Sequence, residues 1–292
     1  MRTFSSAKDL PENLREHTRQ LLLAIADTKL LLGFHYGEWT FGTPALEACI
    51  ASCSMSQDEL GHVRLLHACL STQFGMSSQS LIENRPAADF AAISVLNHPL
   101  KSWAETVAAN FIVDGALTVL LNGLRGSTFE PVANFMDKMV EEEKHHLRHG
   151  QGWFRTLAAR NLETKSALQV ASQQALHATL EWLGPDEHPM ASELATAGIL
   201  KTNWPALRQQ YYDWLGSVAD ASNVFLGIAK SNGAYQIGAP IDYGIWQPQT
   251  RRCSRPASEG ETLVLSEQIL YHLRGSKNAE FKLGEAVEGQ AA

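Results

Sequence analysis

The chain is short of several things, and each shortage removes a class of function. Charge is modest: charged residues make up 19% of the 292 positions and the formal net charge is −7. A mildly acidic protein without a basic stripe makes a poor nucleic-acid binder, so no nucleic-acid partner is expected. No uninterrupted apolar run reaches the roughly 18 residues that a bilayer span requires, so no membrane role is expected. The first residues, "MRTFSSAKDLPENLREHTRQ", carry charge where a secretory signal would need an apolar stretch. A cytoplasmic location is the expectation. Only four cysteines occur, Cys49, Cys53, Cys69 and Cys253, with no Cys-x-x-Cys. Reduced core thiols suit that pattern better than disulfides or zinc ligands. No iron–sulfur cysteine cluster and no glycine-rich dinucleotide fingerprint is present. Strand and hairpin signals are weak throughout.

What remains abundant is apolar residues, 45% of the chain, arranged with helical spacing. Residues 11–36 run without an internal proline, and Leu22, Ile25, Ala26, Lys29, Gly33 and Tyr36 share one face. A second helix is expected over about 44–72, with Pro44 in its first turn and Thr43 as its cap. A polar connection over 73–98 leads to a third helix from Ser102, and a fourth is expected over 130–158. Four long helices predict an all-α antiparallel four-helix bundle. Helices over 164–183 and 190–216 would pack outside it, giving a bundle unit over 1–216. Residues 217–292, rich in Gly, Pro and aromatics, read as a coil-rich extension that wraps the bundle. It holds one short helix in "TLVLSEQILYHLRG" and ends in a frayed "EGQAA".

The chemistry lies in two matching runs. "SQDELGHVRLL" on the second helix places Glu59 three residues before His62. "EEEKHHLRHG" on the fourth places Glu143 three before His146. Residues three apart on a helix point roughly the same way, about 60° apart. One Glu-x-x-His is weak; two on alternate helices of one bundle form the ligand pattern of carboxylate-bridged di-iron and di-manganese centres. That pattern asks the first and third helices for a carboxylate each. The third offers Asp114, a lone acid in "FIVDGALTVLL" and costly to bury without a partner or metal. Asp114 stands 29 residues before Glu143, and the same interval counted back from Glu59 reaches Leu30 or its neighbour Lys29. No acid stands there. Asp27 and Glu38 are the nearby acids. The plain alternative is a buried ion network of Asp114 and Glu143 with Lys29, Arg64 and Arg148. Glu141, Glu142, Lys144 and His149 read as solvated or supporting charges, His67 and His145 as structural, and Asp58 as a group that orients a ligand imidazole.

"LGFHYGEW", "SQDELGHVRLL", "SWAETVAANFIVDGA" and "EEEKHHLRHGQGWFRTL" together resemble the phenylacetic acid catabolic protein family, the A and C subunits of phenylacetyl-CoA epoxidase, within the ferritin-like superfamily. The likeness covers about residues 15–215. It implies a ferritin-like bundle and a non-haem di-iron oxygenase that uses O2 on a small organic substrate, with an aryl-CoA thioester as the family's example. Glu59, His62, Asp114, Glu143 and His146 fall on the metal-ligand positions, and Lys29 falls on the first helix's glutamate. By this likeness Glu59 and Glu143 bridge two iron ions (manganese being the alternative), His62 and His146 bind one each, and Asp114 is terminal. Lys29 then neutralises a carboxylate where one metal is weak, or holds an anionic intermediate. Electrons would come from a separate reductase, and a homodimer or a hetero-oligomer with a related subunit is implied. The rival expectation is a non-catalytic scaffold subunit of such a complex. A ferritin-like iron store fits less well, because the chain is long for one.

Overall fold

The computed structural model describes residues 2–254 and 263–275. Four long helices make the centre: α1 (Glu12–Trp39), α2 (Leu46–Phe74), α3 (Trp103–Leu124) and α4 (Glu130–Arg160). Local chemistry sets their ends. Ser102 caps α3 by accepting a hydrogen bond from the Glu105 amide, and α2 stops at Gly75 in the left-handed region. The expected cap of α2 is displaced. That helix opens at Leu46 behind Ala45, and the Thr43 hydroxyl donates to the Ala45 carbonyl instead of capping.

α1 is the innermost helix. Every residue from Gln20 to Gly33 is buried, so the single apolar face read from the sequence is part of an all-round burial. Asp27 faces away from the bundle's acids; Arg85 holds it in a two-pronged salt bridge at 2.7 Å per contact. α3 is apolar enough, by length and composition, to cross a bilayer, contrary to the sequence expectation; 89% of its most apolar window is buried inside this protein. Its middle, Ala109–Asp114, is a π turn.

α5 (Leu162–Leu183), α6 (Pro189–Thr196) and α7 (Trp204–Ala221) pack outside the four. The helix expected over 190–216 is therefore two helices, because Asn203 caps a new start by accepting from the Ala206 amide. α7 also runs past residue 216. The extension is more ordered than expected from its composition. β1 (Ile228–Ser231) and β2 (Ala234–Ile237) form one antiparallel pair, and β3 (Trp246–Gln247) and β4 (Arg252–Cys253) another. Arg251, between β3 and β4, is buried against Trp182, Trp204 and Trp246 and donates to the Trp182 and Leu183 carbonyls at the end of α5. α8 (Glu267–Leu273) closes the described part; the "EGQAA" end lies outside the described residues. None of the four cysteines forms a disulfide among the described residues; Cys69 and Cys253 are buried, Cys49 is intermediate, and Cys53 is exposed rather than in the core.

Candidate metal centre

The six residues singled out in the sequence meet at one point among α1, α2, α3 and α4. Lys29, Glu59, Asp114, Glu143 and His146 have no exposed surface, and His62 has 1%. The approach of α1 to α2 is set at Gly33, where a Cβ would stand 3.1 Å from the Cβ of Glu59. Any larger residue would push Glu59 away from α1.

Lys29 occupies the position that the repeat interval indicated. Its Nζ donates to both Glu59 oxygens, at 3.0 and 2.9 Å, and to Glu143 Oε1 at 2.7 Å; Asp114 Oδ1 stands 3.6 Å away. The ammonium thus joins the two carboxylates expected to bridge metals. Asp27 is engaged elsewhere and Glu38 is exposed, so neither supplies a ligand. Arg64 and Arg148 are exposed, so of the alternative network only Lys29 takes part.

The two histidine rings flank this centre with centroids 6.3 Å apart. His62 Nδ1 is 3.3 Å from Glu143 and 3.8 Å from Glu59, while its Nε2 is 2.8 Å from Glu142, which supports the ligand position rather than being merely solvated. His146 Nδ1 is 3.1 Å from Asp114 Oδ2 and 3.4 Å from Glu59, and its Nε2 is 3.4 Å from Asp58. Both imidazoles therefore direct one nitrogen inward and have the other held by a carboxylate, the arrangement that orients metal-binding histidines. His145 is exposed and His67 is half-buried.

Three hydroxyl or amide groups that the sequence reading did not single out complete the shell. Tyr36 donates to Asp114 Oδ2 at 3.1 Å, Thr118 to Glu143 Oε2 at 3.1 Å, and the Asn110 amide to Asp114 Oδ2 at 3.4 Å. Tyr36 and Thr118 were detectable as polar groups on otherwise apolar helix faces. Asn110, four residues before Asp114, lay on the same helix face and was open to the same reading. The Tyr211 hydroxyl donates to the Ile112 carbonyl inside that turn.

Electrostatics follow from burial and proximity. Burial alone would push the Lys29 ammonium toward deprotonation; Glu143, Glu59 and Asp114 outweigh it and keep the proton bound. Burial raises Glu59, but Lys29 overcomes it and the carboxyl falls to about 2. Asp114 rises to about 7, by burial and then by repulsion from Glu143 and Glu59. His62 is held up at about 9 against burial by Glu143 and Glu59. His146, also against burial, is raised well above its ordinary value by Glu143 and Asp114.

Glu59, Asp114, Glu143 and His146 each present a donor atom, and these atoms lie within 4.8 Å of one another. Asp114 Oδ1 and His62 Nδ1 are buried with no hydrogen-bond partner. A mixed carboxylate and imidazole set with spare lone pairs fits one iron or manganese ion. It does not fit two. The second position, flanked by Glu59, Glu143 and His62, faces the Lys29 ammonium at hydrogen-bond distance from both glutamates.

Residues 1–227 match the family described as phenylacetic acid catabolic protein. The chain belongs to this family. Among its relatives are two components of the 1,2-phenylacetyl-CoA epoxidase of Escherichia coli K12. The chain is 28% identical over 179 residues to the A component of that epoxidase, covering 61% of this chain and 58% of that protein. It is 26% identical over 191 residues to the C component, covering 63% of this chain and 76% of that one. The match thus spans little more than half of the A component. Membership agrees with the resemblance drawn from the motifs, and the all-α bundle agrees with the expected fold.

Proposed function

We propose that this chain is the metal-bearing component of an O2-dependent oxygenase related to phenylacetyl-CoA epoxidase. In this reading Glu59, Asp114, Glu143 and His146 hold a single ion, iron or manganese, and Lys29 stands where a second ion would be. The observation that carries it is the convergence of four buried donors beside the Lys29 ammonium. When bound, the metal supplies the redox chemistry that O2 requires.

The protein's own residues do the rest. Lys29 keeps a fixed positive charge at Nζ, so charge at the centre stays compensated without a second metal. Asp58 and Glu142 hold the outer nitrogens of His146 and His62, and Tyr36 and Thr118 fix Asp114 and Glu143 in orientation. Complete burial excludes bulk water and so strengthens each of these contacts. Metal entry would displace protons from His146 and Asp114, because ligands bind deprotonated. The two-ion expectation narrows to one. The substrate in this reading is a small organic molecule, with an aryl-CoA thioester drawn from the relatives' names. A separate reductase supplies electrons, a related subunit is the partner, and free thiols suit a cytoplasmic setting.

A second reading has one observation in its favour. Lys29 already pairs with Glu59 and Glu143, and His62 and His146 lie against Glu143 and Asp114, so each buried charge has a partner without metal. A metal-free scaffold subunit would look the same. Elemental analysis after anaerobic iron(II) loading separates the two. About one ion per chain, the number a single mixed-donor site holds, supports the oxygenase component; a stoichiometry near zero for iron and manganese alike leaves the scaffold.

A further inference from the structure

Three of the seven tryptophans gather at one edge of the bundle. The Trp39 and Trp103 rings are 5.9 Å apart between centroids, and Trp103 and Trp153 are 5.3 Å apart at nearly a right angle. All three are partly exposed. The Trp103 ring also meets His149 edge-on at 6.4 Å. From His149 a directed hydrogen-bond chain runs inward: its Nδ1 donates to Asn110 Oδ1 at 3.0 Å, and the Asn110 amide donates to Asp114 Oδ2 and to the His146 carbonyl at 3.4 and 3.3 Å. Gly150 permits this, since a Cβ there would stand 2.8 Å from Asn110 Oδ1.

Packing alone does not account for these residue types. Trp103 Nε1 and His149 Nε2 are both buried without a hydrogen-bond partner. Each such atom carries a desolvation cost that phenylalanine or leucine would not. The chain also lacks any cysteine cluster or nucleotide fingerprint with which to carry electrons itself.

We propose that Trp39, Trp103 and Trp153 form a one-electron relay from the surface to the candidate metal centre, with His149 and Asn110 as its inner link; this rests on the metal-centre reading above. When reaction with O2 leaves a strong one-electron oxidant at the centre, Trp103 gives that oxidant one electron and is left as an indole radical cation. Trp39 or Trp153 refills it and is refilled in turn by an external one-electron donor protein of the flavin or iron–sulfur class. One electron enters, one leaves, each ring returns to its starting state, and no bond or proton is transferred overall. Trp39 adjoins Phe41, which is 95% exposed, so the outer end of the relay lies where a donor can reach it.

The test uses a ruthenium photo-oxidant fixed to Phe41→Cys in a Cys49→Ser, Cys53→Ser background, with a soluble cobalt(III) ammine as flash quencher. Flash-generated ruthenium(III) should yield an indole-radical absorbance in the metal-free chain, lost in Trp39→Phe. In the iron(II)-loaded chain the radical should decay as iron(III) absorbance grows. Trp103→Phe should abolish that growth while circular dichroism stays unchanged, and Trp214→Phe, off the route, should leave it intact. Iron oxidation proceeding at the parent rate in Trp103→Phe would overturn the relay. Failure to take up iron counts against the metal centre instead, and the metal-free arm then decides. There Trp103→Phe must shorten the radical's lifetime by confining it to Trp39, and an unchanged lifetime overturns the relay.

Discussion

Replacing Lys29 with methionine keeps the volume of the side chain and removes its charge. In the folded chain the ammonium is the cation nearest to Glu59 and Glu143, at 2.7 to 3.0 Å, and all three groups are fully buried. Removing one partner of a buried ion pair costs about 3–5 kcal/mol, because the remaining charge is left without compensation. The metal-free Lys29→Met chain should therefore unfold at lower urea, with its free energy of unfolding reduced by that amount and its m-value unchanged. A metal ion supplies the missing positive charge. At about 1,000 times its dissociation constant a ligand stabilises by about 4 kcal/mol, enough to offset most of the loss. Lys29→Glu goes further. Without metal it gathers a fourth buried carboxylate and should be less stable still; with iron it should approach two ions per chain. The assay is urea unfolding of parent and both variants, with and without iron(II), alongside metal content. Parent-like stability of metal-free Lys29→Met would refute the reasoning, since the ammonium would then not be what compensates the glutamates.

Other outcomes rest on the same structure. Glu59→Ala and Glu143→Ala should each lower metal content and abolish oxygen-dependent turnover while circular dichroism still shows the helical fold; full occupancy in both would mean these residues are only packed. His35 is buried and its Nε2 donates to the Leu96 carbonyl at 2.8 Å; burial lowers its pKa from 6.5 to about 4. A histidine depressed in the folded state contributes stability that is complete above the unfolded value and is lost as pH falls from 6.5 toward 4. The window is worth about 3 kcal/mol, and a His35→Gln variant should flatten the unfolding free energy across it; an equally steep profile in the variant would assign the slope to other groups. Arg85→Met should cost about 3–5 kcal/mol by taking the paired guanidinium from buried Asp27 and leaving it the Ala91 amide as its hydrogen-bond donor among the described residues, and Asp27→Asn in that background should recover part of it. A double-mutant cycle showing no coupling between the two positions would contradict that pairing.

The candidate site was readable to the extent that its parts repeat. Two Glu-x-x-His pairs and the Asp114–Glu143 interval were enough to bring six residues together, including Lys29, because helical spacing converts sequence distance directly into direction. Where that conversion fails, so did the reading. The π turn over Ala109–Asp114 re-phases α3 upstream of Asp114, and nothing in the spacing announced it. The β1–β2 pair was missed although Asn232–Gly233, both at positive φ, carries the two-residue turn signal; strands of four residues leave too little alternation to notice. Arg251 shows a different limit. Its burial among three tryptophans depends on residues from 182 to 246 meeting in space, and nothing local to "QTRRC" announces it. The helix count within the bundle, by contrast, came from long proline-free periodic runs.

The π turn also says something about descent. A wide turn of this kind is what remains when one residue is inserted into an existing helix and the backbone absorbs it locally instead of shifting everything downstream. An extra residue rotates the rest of the helix by roughly 100° unless it is absorbed. In α3 it is absorbed between Ala109 and Asp114, so the half from Gly115 to Leu124 keeps its packing on α4 and α7 while the preceding half is re-phased against α5. Removing one residue from that stretch should therefore rotate the upstream half of α3 by roughly 100° against α5, while Asn110 and Asp114, three or four apart, stay on one face. A single codon gained or lost could thus re-aim one half of α3 with the remainder of the bundle left in place.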